Sequence, residues 1–72
     1  MRSPDEMLDS TKYRAGIKTN QGIAERIGLK RQTLAHKRKY PGTFTASEIV
    51  ALSMLLGWSD EELLEFIRGC KE

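Results

Sequence analysis

Seventy-two residues with a formal net charge of +2 make one small domain, below the size at which a single core is comfortably stable, so well-capped helices, a leucine-rich core or self-association must compensate. Cys70 is the sole cysteine and His36 the sole histidine, which excludes an intrachain disulfide and a cysteine-built metal site and fits a reducing cytosol. The start MRSPDEMLDS is acidic where a secretory leader is apolar, and the longest apolar run, from Ile49 to Leu52, is far short of the roughly 20 residues that span a bilayer, so a soluble protein is expected.

Glycine, proline and capping residues divide residues 1–72 into five short helices with no alternating β pattern, which predicts one all-α domain. Ser3-Pro4-Asp5-Glu6 sets a capping serine before a first-turn proline and a glutamate that reaches back. This box opens a helix ending near Gly16, with Met7, Leu8, Thr11 and Ala15 on its apolar side. Thr19 or Asn20 caps a second, short helix whose Ile23, Ala24 and Ile27 share a face, and Gly28 is its left-handed stop. The third helix starts near Arg31 with Leu34 as its one clear apolar anchor. It must end before Pro41-Gly42, because proline lacks an amide donor and holds Tyr40 extended.

Thr45-Ala-Ser-Glu48 is a second capping box, opening a helix that runs to Gly57. Ile49, Leu52 and Leu56 form one stripe and Val50 and Met54 another, the pattern of a central helix that is apolar almost all round. Ser59-Asp-Glu-Glu62 is a third box, opening a last helix through Leu63, Leu64, Phe66 and Ile67 towards Gly69, with its acids placed well for the helix dipole. Met54, Trp58, Leu64 and Phe66 are expected in the core. The fourth and fifth helices nevertheless carry more apolar surface than a domain this small hides, so part of it is a candidate homodimer seam.

The signs of charge are segregated along the chain. Nine basic residues stand between Lys12 and Lys39 against Glu25 alone, a balance of +8, whereas residues 1–11 carry −2 and residues 40–72 carry −4. A solvated helix face could carry such charge without purpose. Here, however, two short helices are joined by a glycine turn, and the second is cationic and nearly free of apolar residues, the local composition of a DNA-binding helix-turn-helix. Ala24 is small where the helices cross, and Ile23, Ile27, Leu29 and Leu34 cover the inner side. Lys30, Arg31, Gln32, Ala35, His36 and Lys39 are left for the outer face.

The stretch NQGIAERIGLKRQTLA resembles the helix-turn-helix of the phage Cro and lambda-repressor-like family, with Asn20, Ala24, Gly28 and Leu34 at the family's spacing. The later TFTASEIVALSMLLGWSDEELL resembles that family's fourth and fifth helices. The resemblance implies a compact five-helix lambda-repressor-like domain, its helix-turn-helix formed by the second and third helices. It further implies a Cro-like repressor of phage or prophage type that occupies a double-stranded DNA operator in the cytoplasm of a bacterial host, at the nucleoid. Dimerisation through helices four and five would match a palindromic operator.

Carried over by position, the resemblance implies that Arg31, Gln32, Ala35 and His36 face base edges, while Asn20, Lys30, Thr33, Lys37, Arg38, Lys39 and Tyr40 hold phosphates, with Gly42 and Thr43 as further backbone contacts. The chemistry agrees: arginine bridges guanine O6 and N7, glutamine bridges adenine N6 and N7, and an alanine methyl meets a thymine methyl. The chain departs from the family at Asn20, where glutamine is usual, at Lys30, where serine or threonine caps, and at Lys37, where an apolar residue is common. The stem of Lys37 is expected to pack while its ammonium stays in solvent.

No paired acid and base, metal ligand set, phosphate loop or cofactor motif appears, so neither an enzyme nor a small-molecule binder is expected. His36 has cations as sequence neighbours, and Asp60, Glu61 and Glu62, being consecutive on a helix, point apart. The reading from another class is a protein-binding module, antitoxin-like or inhibitory, that works through the acidic and apolar C-terminal half.

Overall fold

In the computed structural model, which describes residues 2–71, local capping sets where the chain turns helical. The five α-helices are α1 (Pro4–Thr11), α2 (Asn20–Arg26), α3 (Arg31–Lys39), α4 (Ala46–Leu56) and α5 (Asp60–Cys70), with no strand among the described residues. Single 3-10 turns follow α1 (Lys12–Ala15) and α3 (Pro41–Thr43). At Ser3, Thr45 and Ser59 the hydroxyl accepts the amide of the glutamate three residues on, and that glutamate accepts the capping residue's own amide. Each such cap contributes about 1 kcal/mol by satisfying otherwise orphaned donors. The α2 cap is Thr19, whose hydroxyl accepts from Gly22. Asn20 is thereby left at the first helical position with its side chain uncommitted to capping.

Each helix contributes to one core. Met7 and Leu8 of α1, Ile23 and Ala24 of α2, Leu34 of α3, Leu52 and Leu56 of α4 and Phe66 of α5 are all fully buried. Phe66 lies between Phe44, edge-on at 5.4 Å, and Trp58, tilted at 4.7 Å. A polar chain inside the core is closed: Trp58 Nε1 donates to Thr11 Oγ1 at 2.9 Å, and the Thr11 hydroxyl donates to the Met7 carbonyl at 2.6 Å. Burying an indole N–H without such a partner would cost about 1–3 kcal/mol.

Three expectations are corrected. Gly69 does not end the last helix, since α5 continues to Cys70. It sits inside the helix where Pro4 crosses, and a Cβ there would lie 2.6 Å from Pro4 Cδ. The fourth helix is not central: its Leu52–Leu56 side is buried, but Val50 is 52% and Met54 79% exposed, because a domain of this size cannot surround a helix. Leu64, expected in the core with Trp58 and Phe66, is half exposed. Among the described residues no helix is long and apolar enough to cross a membrane.

Candidate functional site

The α2–α3 corner is built by short-range rules. Ile27 ends α2, Gly28 turns the chain at φ 76°, and the Leu29 amide donates back to the Ala24 carbonyl at 2.8 Å. A Cβ at Gly28 would meet no atom within 4 Å, so the requirement for glycine lies in its positive φ and not in space. Leu34, fully buried, pins α3 against Ala24 and Ile23 in the core cluster. At 100° per residue, Arg31, Gln32, Ala35, His36 and Lys39 fall within an arc of about 140°, away from Leu34. All five are exposed. Lys30, Thr33 and Tyr40 are exposed as well, Thr33 lying off one edge of the arc.

Within this arc the cations have no carboxylate partner among the described residues. Arg31 and Lys39, together with Lys30 at the helix start and Lys18 and Arg26 around α2, form no ion pair among the described residues. Tyr40 closes the C-terminal end, its ring 5.0 Å from that of His36 and 5.7 Å from Lys39 Nζ. Lys18 and Arg26 had no place in the sequence-derived set of contacts. Their only signal was their position inside the cationic block.

Lys37 and Arg38 are engaged differently. The Lys37 ammonium does not stay in solvent: it donates to the Thr43 carbonyl at 2.7 Å and pairs with Glu48 Oε1 at 3.0 Å, leaving the side chain 13% exposed. The lysine thus replaces an apolar anchor by a tie between α3 and the first turn of α4. Burial acts most strongly on the Glu48 carboxyl and pushes its pKa up, but the Thr45 amide and Lys37 together hold it below its ordinary value.

Arg38, at 12% side-chain exposure, joins three helices. Its Nε meets Asp5 Oδ1 at 2.6 Å and its Nη2 meets Asp9 Oδ2 at 2.9 Å on α1, while Nη1 donates to Asn20 Oδ1 on α2 at 2.8 Å. Burial is again the largest influence on Asp9 and upward, yet Arg38 and then Lys12 bring its pKa below the usual range. Asp5, Asn20, Ala35, Arg38 and Lys39 line one open groove beside α3. A second groove runs along the α2–α3 corner past Gln21, Lys30, Arg31 and Gln32. The structure therefore brings Asn20 together with Ala35, Arg38 and Lys39.

Chemically this surface is a set of exposed donors with a single small apolar contact, Ala35, suited to an extended anionic partner presenting acceptors. Among the described residues no three His, Cys, Asp or Glu side chains gather as metal ligands. Comparisons with protein-family models, curated proteins and solved structures find no match to this chain.

Proposed function

We propose that this protein is a sequence-specific double-stranded DNA-binding regulator of the Cro and lambda-repressor-like kind. In this reading α2 and α3 form the helix-turn-helix, and operator occupancy blocks polymerase. The observation that carries it is the outer arc of α3: Arg31, Gln32, Ala35, His36 and Lys39 are exposed, share one side and are not tied to any carboxylate among the described residues. A helix held by buried Leu34 and by the ties of Lys37 and Arg38, and presenting such an arc, fits a major groove, where arginine and glutamine read guanine and adenine and alanine meets thymine. Lys30, Lys39, Tyr40, Thr33 and the Asn20 amide then contact phosphates on either side. No catalytic group or cofactor takes part.

The test is selection of bound duplexes from a random pool, followed by footprinting. A short palindrome protected over two half-sites about one helical turn apart supports both the function and a two-fold assembly. Absence of enrichment at physiological salt would favour a protein-binding module instead. That second reading draws on Val50, Met54 and Leu64, which are at least half exposed on α4 and α5. It predicts that Arg31→Ala leaves the working surface intact.

A further inference from the structure

Arg38 lies just off the edge of the arc and would be counted among the phosphate-gripping cations by sequence position alone. Its guanidinium is already surrounded: Asp5 and Asp9 take Nε and Nη2, the Asp5 carbonyl accepts a further bond from Nη2 at 3.0 Å, and Asn20 takes Nη1. Two carboxylates offset its charge and the side chain is 12% exposed, so little of it is offered to an outside anion. One of its contacts has a directional consequence. A guanidinium has donors and no acceptor, so the Asn20 amide must turn its oxygen towards Arg38 and its Nδ2 away. No hydrogen bond from Nδ2 occurs among the described residues, and no buried side-chain nitrogen lacks a partner, so Nδ2 reaches solvent. Asn20 lines the groove shared with Ala35 and Lys39.

We propose that Arg38 is a positioning residue that acts through Asn20: it locks the amide so that both Nδ2 protons are presented to a backbone phosphate entering the groove beside Lys39, and it does not grip that phosphate itself. The identity of the anion as a DNA phosphate rests on the function proposed above; the locked amide does not. The same ties explain why α1 bears Asp5 and Asp9 on the side facing α3. They hold the guanidinium still and reduce its competition with Lys39 for the incoming anion.

The first arm of the test uses the protein without DNA. Nitrogen-15 relaxation of the Asn20 side-chain amide should show restricted motion in the native chain and an order parameter below about 0.6 in Arg38→Met. An amide equally mobile in both overturns the proposal. Asp5→Asn loosens the α1 tie but leaves Arg38 against Asn20 and should keep the amide ordered; a mobile amide there would assign the ordering to α1 and also overturn it.

The second arm uses a duplex enriched by selection. Arg38→Met should weaken binding about tenfold in the native background and add nothing on top of Asn20→Ala. The slope of log affinity against log salt should not change, because no neutralised phosphate is lost. Additive losses with a slope smaller by about 0.9 would mean direct phosphate contact by Arg38 and would sink the positioning role. Asn20→Asp preserves the oxygen facing Arg38 and should keep the melting temperature while abolishing binding. If no duplex enriches, the DNA-binding reading fails and the relaxation result alone decides whether Arg38 orders Asn20.

Discussion

Arg2 and Arg14 meet Glu62 and Glu65 on α5, with Arg14 Nη1 and Glu62 Oε1 2.9 Å apart, whereas Arg31 and Lys39 on α3 meet no carboxylate among the described residues. Both regions carry cations, and they differ in whether the charge is matched. Around Glu62 and Glu65 the matched charge fastens the N-terminal segment to α5. Arg14 and then the Ser59 amide hold the Glu62 carboxyl at a pKa of about 2, and Arg2 holds Glu65 below the usual carboxylate range through its backbone amide and then its side chain. On α3 the unmatched charge of Arg31 and Lys39 is exposed to solvent. Net charge of +2 averages these two regions and so conceals both.

The contrast is tested most strongly at the arc. Arg31→Ala with Gln32→Ala should lose about 1–3 kcal/mol of base discrimination per residue, reducing selective binding towards the non-specific level in a mobility-shift titration. The melting temperature should stay within about a degree or two, because neither side chain is buried. Loss of stability in step with loss of binding would remove the distinction between the two regions.

Thr11→Val is expected to do the reverse. It strands the Trp58 N–H in the core and should cost about 1–3 kcal/mol in a denaturant titration with unchanged operator preference. Glu62→Gln should cost about 1 kcal/mol at neutral pH, the upper range for a partly exposed ion pair. Because the folded pKa of Glu62 is depressed, its contribution is present above about 4.5 and fades as pH falls towards 2. The native and variant unfolding curves should therefore converge in acid; a constant gap would show that the charge is not what stabilises this contact with α5. Lys30→Ala should have the smallest effect, weakening all duplexes alike by a few-fold and reducing the salt slope by about 0.9.

How far the sequence could be read depends on the range of the interaction concerned. The three serine or threonine boxes are legible because each is complete within four residues, and so is the glycine turn after Ile27. Leu34 is legible as the one large apolar residue of its helix. Met54 and Leu64 are not, since an apolar residue on a helix announces hydrophobicity and not which side its neighbours occupy. Nothing in the sequence shows that the charges of Lys37 and Arg38 are matched and that of Lys39 is not, yet Arg38 meets Asp5 across 33 positions and Lys37 meets the first turn of α4. Gly69 resembles a helix stop, and only the passage of Pro4 against it shows that it is a crossing point.

What the amino-acid order determined by itself is the run of five helices, their starts, and the concentration of cations between Lys12 and Lys39. These follow from hydrogen bonds and dihedral preferences spanning a turn or less. Only the tertiary structure decided which of those cations are matched. A carboxylate dozens of residues away reaches its partner through packing of whole helices, and that packing separates Arg38, enclosed by Asp5, Asp9 and Asn20, from Arg31 and Lys39, left open on the same helix.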